Sequence, residues 1–142
     1  MTVSLTLTRQ LNAQPARVFA ALTQPDQMLR WWVPDAGTTL HASADLRPGG
    51  RYAIGFRLAD GSEHHPTGLY REVIPDARLS FTWEWPGRPE ATSLVTIRLT
   101  PRDGGTHLTL THEHLPDDAG PSHERGWSGL FTRLALYLKA TP

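Results

Sequence analysis

The sequence predicts an α+β domain in which one antiparallel sheet packs on a long C-terminal helix, in the order β-αα-β6-α. Three observations lead there. Between residues 39 and 115, apolar and polar residues alternate in six successive runs joined by short turns, the pattern of antiparallel strands with one buried face. From Ser122 to Ala140 the apolar period becomes helical. Ahead of both, Pro15 and Pro25 each open a short helical stretch after a first strand. A sheet and a helix with one apolar face each must bury those faces against each other.

The elements follow in order. In VSLTLTRQL (3–11), Val3, Leu5 and Leu7 face one side and Ser4, Thr6 and Thr8 the other, a half-buried strand. Pro15 suits a first helical turn, where its missing N–H costs nothing, and Val18, Phe19 and Leu22 form the apolar face. Thr23 to Pro25 breaks that helix; Pro25 and Asp26 start a second one that ends near LRWW. TLHASADL (39–46) alternates weakly and runs into a PGG turn at 48–50. Tyr52, Ile54, Phe56 and Leu58 share a face, and Asp60–Gly61 marks a hairpin. TGLYREVI stops at Pro75. Leu79, Phe81, Trp83 and Trp85 then stand opposite Ser80, Thr82 and Glu84. Val95, Ile97 and Leu99 face inward, and an RDGG turn leads to THLTLTHEHL, with Leu108, Leu110, His112 and His114 expected on one face. Trp127, Leu130, Phe131, Leu134 and Leu138 stripe the last helix, which Ser122 or Asp117 is expected to cap.

A chain of 142 residues fits one domain, expected to span 1–142, and buries enough surface to fold without staples. It has no cysteine, which excludes disulfides and thiol catalysis. Lys+Arg and Asp+Glu are 14 each, so no basic excess points to a nucleic-acid partner. MTVSLTLTRQ lacks the basic and apolar regions of a secretory signal. No apolar run approaches the ~18–20 residues that span a bilayer. The expectation is a cytoplasmic protein with no membrane span, either monomer or homodimer.

Several residues carry candidate chemistry. His112 and His114 sit two apart in an expected strand, so both imidazoles should point to one side. Such a pair can ligate one ion, with a carboxylate completing a facial triad. Cupin metal sites use an HxH with a nearby glutamate. Here Asp118 follows instead, Thr106 replaces the expected glycine, and the chain turns helical where a second motif would need a strand. A third ligand would have to come from Glu72 or Glu124 by folding. The expectation is therefore no metal and no cofactor, with His112 on a polar cavity wall and His114 at its rim. His112 is also the candidate for acid/base chemistry of a cyclase- or hydrolase-like kind. No GxSxG elbow or phosphate loop is present, and RPGG at 47–50 is a hairpin turn. His64 and His65 would face opposite sides of a strand and cannot chelate as a pair.

The aromatic residues form the other candidate set. Trp32, Phe56, Tyr70, Phe81, Trp83, Trp127 and Phe131 all fall on faces assigned inward. Singly each is ordinary core; together, beside a histidine, they suit a lined pocket with a few polar points. Gly126 and Gly129 flank Trp127 inside a helix, where glycine costs about 1 kcal/mol relative to alanine, so close approach of a strand or a ligand is expected there. Of Trp31 and Trp32, neighbours at a helix end, one is expected inside and the other near the surface.

PARVFAALTQPDQMLRWW after the first strand, LRPGGRY, GLYREVIPDARLSFTWEW, and GGTHLTLTHEHL followed by GWSGLFTRLALYL resemble, in order and spacing, the START-like (SRPBCC) helix-grip superfamily. Within it the chain is similar to the bacterial branch named after the activator of the heat-shock-protein-90 ATPase. The resemblance covers nearly the whole chain. It implies a curved sheet gripping the C-terminal helix, with an internal cavity that takes hydrophobic or amphipathic molecules in many relatives, and a link to stress response. The eukaryotic co-chaperone makes its main chaperone contact through another domain, so a chaperone partner is not expected. Helix two lies at the open end of the grip in relatives, which makes Trp31, Trp32 and Pro34 a candidate gate. The expected function is non-catalytic binding of a small hydrophobic or amphipathic, ring-bearing molecule. The expected cavity residues are Trp32, Ile54, Phe56, Tyr70, Phe81, Trp83, His112, Trp127 and Phe131, with stacking on Phe81, Trp83 and Trp127 and polar contacts from His112 and Tyr70.

Overall fold

The computed structural model describes residues 2–32 and 37–140. The elements are β1 (Thr2–Leu11), α1 (Pro15–Thr23), α2 (Pro25–Trp31), β2 (Thr38–Ala44), β3 (Arg51–Arg57), β4 (Glu63–His64), β5 (Thr67–Ile74), β6 (Arg78–Trp85), β7 (Arg88–Arg102), β8 (Gly105–Pro116) and α3 (Gly120–Ala140). The strands pair antiparallel in the order β1-β8-β7-β6-β5-β3-β2, and β4 pairs with β3. This curved, open sheet and its C-terminal helix make the α+β helix-grip architecture. No helix among the described residues is long and apolar enough to cross a membrane.

The local causes match the sequence in most places. Pro15 and Pro25 occupy the first turns of α1 and α2, and Gln24 ends one helix and precedes the next. Asp103 and Gly104 have φ of 52° and 77°. Positive φ at both central residues of a two-residue hairpin matches the right-handed twist of β7 and β8. Along α3, Trp127, Leu130, Phe131, Leu134 and Leu138 are buried in one stripe. They meet the inward faces of the sheet, including Ile54, Phe81, Val95, Ile97, Leu108 and Leu110.

Four expectations need correction. β7 begins at Arg88, ahead of the alternating run, because the Pro86–Gly87 turn pairs Trp85 directly with Arg88. The sheet's other face is not wholly solvated: Ser80 and Thr96 are buried there, with their hydroxyl oxygens 3.4 Å apart. α3 starts at Gly120, so Ser122 lies inside its first turn and donates to the Ala119 carbonyl at 3.0 Å instead of capping. Trp31 and Trp32 are both buried, at 2% and 3% exposure. The helix ends at Trp31, and Trp32 takes a non-helical conformation (φ −79°, ψ 78°) that turns its ring inward too. Their rings lie 5.0 Å apart. Pro34, the third member of the expected gate, lies outside the described residues.

Candidate functional site: a tryptophan-lined cavity

All five tryptophans of the chain join in one run of ring contacts. Trp31 touches Trp32, Trp32 meets Trp127 edge-on at 6.0 Å, Trp127 lies 5.3 Å from Trp83, and Trp83 meets Trp85 at 5.6 Å with planes at 90°. The pleat of β6 supplies Trp83 and Trp85, the end of α2 supplies Trp32, and the buried stripe of α3 supplies Trp127. Offset and edge-on pairings of this kind are favourable beyond the area they bury.

Trp127 is held from behind. Its indole Nε1 donates to His112 Nδ1 at 2.9 Å, and His112 Nε2 lies 2.6 Å from Ser93 Oγ. An indole N–H only donates, so Nδ1 must be unprotonated. The neutral imidazole then carries its proton on Nε2 and donates it to Ser93. His112 is fully buried, and burial, with a smaller contribution from His123, lowers its pKa from 6.5 to about 3. His112 is therefore a neutral bracket for Trp127. It stands behind the cavity wall, whereas the sequence reading placed it on the wall, and both its ring nitrogens are engaged by protein.

The HxH reading fails on backbone geometry. Val3 pairs with Leu115 but Leu5 pairs with His112, so Ser4 faces two residues of β8. This is a β-bulge. His114 sits in it at φ 64° and is exposed, while Leu115 is buried beside it. The bulge breaks the period-two alternation, and the two imidazoles do not share a face.

Between the N-terminal half of α3 and the sheet lies a cavity of about 490 Å³. Trp32, Phe56, Leu58, Trp83, Trp85, Trp127 and Leu130 form its apolar walls, and His64, Ser122, His123, Arg125 and Gly126 complete it. Four of these, His64, Trp85, Ser122 and His123, also line a second space of about 650 Å³. That outer chamber is more polar and includes Glu63, His65, Arg88 and Asp118.

Of the residues expected on the cavity wall, Trp32, Phe56, Trp83 and Trp127 line it. Ile54 and Phe131 are buried in the core, and His112 stands behind Trp127. Tyr70 and Phe81 border only a void of about 10 Å³. Burial pushes the Tyr70 hydroxyl up to about 12, so it stays protonated. The α3 residues Ser122, His123 and Arg125 were missed, whereas Gly126 was singled out for close approach of a strand or a ligand. Helical spacing could have found His123, which stands one turn before Trp127. Gly126 is explained by space: a Cβ there would meet nothing within 4 Å. The glycine opens the cavity and accommodates no packed strand.

Three wall residues carry buried ring nitrogens with no partner among the described residues: Trp32 Nε1, Trp83 Nε1 and His123 Nε2. His123 Nδ1 lies 2.9 Å from the Ala119 carbonyl. A carbonyl only accepts, so that nitrogen carries the proton and the neutral ring offers Nε2 as an acceptor. Beneath the wall surface, these rings thus hold two donors and one acceptor without partners among the described residues.

A family model described as "Activator of Hsp90 ATPase homolog 1-like protein" matches residues 12–139. Among solved structures, a protein from Chromobacterium violaceum is similar at 29% identity, covering 95% of this chain and 96% of its own, with a TM-score of 0.86. A Nitrosomonas europaea protein is similar at 26% identity over 97% of this chain and 95% of its own, with a TM-score of 0.83. An AHSA1-like protein from Aeromonas hydrophila shares the fold at 22% identity, over 97% of this chain and 93% of its own, with a TM-score of 0.85. No curated protein matches the chain.

Proposed function

The chain belongs to the family of proteins like activator of Hsp90 ATPase homolog 1, a START-like group whose folds are generally ligand-binding, and from that premise we propose that it binds a small amphipathic, ring-bearing molecule in the tryptophan-lined cavity without transforming it. The observation that carries this reading is the set of three buried ring nitrogens, without partners among the described residues, behind a mainly apolar wall. A buried polar group without a partner costs about 1–3 kcal/mol. A ligand with acceptors for the two indoles and a donor for His123 offsets that cost, and a flat apolar body stacks on the indole faces. Its polar end would lie toward the outer chamber, near Arg88 and His65. The volume is in the usual range of small-molecule sites, about 300–1,000 Å³. The three nitrogens lie beneath the wall surface, so a ligand meets them only as the rings turn, and binding should register in tryptophan fluorescence. Binding without chemistry is supported by His112, the candidate acid/base group, being locked between Trp127 and Ser93.

A native mass spectrum of the purified protein, set against its denatured mass, tests this. An excess matching a small organic molecule, lost on denaturation, is the expected result. Absence of an excess, together with no saturable response to added amphipathic aromatics, would overturn the proposal.

A further inference from the structure

On the outer face of the sheet, at the edge of the outer chamber, two histidines converge, one from β2 and one from the residue after β4. His41 on β2 pairs directly across from Gly55 on β3. His65, just after β4, reaches over Gly55 from the other side. The rings are nearly parallel, 13° between planes with centroids 5.3 Å apart, and His41 Nε2 lies 3.1 Å from His65 Nδ1. Both side chains are exposed. The glycine is what lets them meet: a Cβ on Gly55 would collide with His41 Nε2 and His65 Nδ1.

We propose that His41 and His65 form a two-histidine site for a late first-row divalent metal ion, with solvent completing the coordination. Three observations support it. Two nitrogens 3.1 Å apart, each about 2.05 Å from a shared ion, subtend about 98° at it. That angle lies between the 90° of tetragonal sites and the 109° of a tetrahedron; the two nitrogens now point at each other, so each ring must swing by about 40° to aim its lone pair at the ion. Imidazole nitrogens suit copper, nickel and zinc. His65 also has an outer partner, since its Nε2 lies 3.4 Å from Glu63 Oε1. Arg57 Nη2 donates to the other carboxylate oxygen, Glu63 Oε2, at 2.8 Å. A carboxylate on the far nitrogen places the His65 proton on Nε2 and leaves Nδ1 with its lone pair toward His41, the support that metal-bound imidazoles commonly have. On metal binding the proton between the rings moves through solvent to His41 Nδ1, and the neutral pair loses none. The ion would then pin β2 to the residue after β4, next to His64 of β4, which lines the cavity.

The test is calorimetric titration of tag-free protein with Ni²⁺ and, separately, Zn²⁺. One ion per chain is expected. His41→Ala and His65→Ala should each weaken binding by about tenfold or more, and Glu63→Gln by about tenfold. Gly55→Ala keeps both ligands but drives the rings apart and should weaken binding comparably. The clash falls on the far ends of side chains, so its fold should persist, as a melting curve checks. His107→Gln, at a half-buried histidine elsewhere, should change nothing. No stoichiometric binding by the wild type, or wild-type affinity in His41→Ala, His65→Ala or Gly55→Ala, would overturn the proposal.

Discussion

Trp127 donates its indole N–H to His112 Nδ1 at 2.9 Å, and that bond fixes both the orientation of the tryptophan and the tautomer of the histidine. The buried Ser93–His112–Trp127 chain runs from β7 through β8 to α3, tying the sheet to the helix at the back of the cavity. Its energetic weight is measurable.

Replacing His112 by alanine leaves the Trp127 N–H and the Ser93 hydroxyl buried without a partner and removes a fully buried ring. The expected loss is about 3 kcal/mol or more. Urea unfolding checks this, and a shift of Trp127 emission should accompany it.

The same histidine gives a pH dependence. In the unfolded chain it binds a proton near its ordinary 6.5, whereas in the folded protein it stays neutral down to about 3. The unfolded state therefore binds more protons in this window, and stability rises with pH there. The stabilisation is fully present above about pH 6.5 and is lost as pH falls toward 3, by an amount on the order of a few kcal/mol. Denaturation midpoints between pH 7 and 4 should show this slope, and His112→Gln should remove that part of it.

Trp83 and Trp127 undergo the same chemical change with different results. Trp127→Phe leaves the His112 acceptor unpaired and should cost about 2 kcal/mol or more. Trp83→Phe removes a donor that has no protein partner, so lost packing and relieved desolvation offset, and a change within about 1 kcal/mol is expected. Parallel urea curves compare the two.

Gly126 is the accessible control on cavity volume. Gly126→Ala should stabilise α3 by up to about 1 kcal/mol, because the helix gains and the new Cβ meets open space. Thermal melts check the sign. A larger side chain at this position should fill the cavity while leaving the fold intact.

The fold was legible because its signals are long and periodic. Alternation in β6, β7 and β8 and the stripe from Trp127 to Leu138 specify which faces meet. The cavity was legible in part. Trp83 and Trp127 follow from face assignment, but that reasoning cannot separate a residue that fills the core, such as Phe81 or Phe131, from one that borders empty space. That difference depends on sheet curvature and on Gly126, which are tertiary features. His114 was misplaced because one inserted residue flips everything after it, and nothing in THEHL marks the bulge. The convergence of His41 with His65 was hidden for a related reason: it depends on β2 pairing with Gly55 while β4 pairs with Phe56 and Arg57 next to it.

The most direct test of cavity binding is a tryptophan-fluorescence titration with anilinonaphthalene sulfonate, an amphipathic aromatic probe, in wild-type protein and in Gly126→Leu. Binding in the cavity predicts a saturable one-to-one response in the wild type that weakens by about tenfold or more when leucine fills the space, with the variant's melting curve showing an intact fold. No saturable response in the wild type, or equal responses in both proteins, would contradict it.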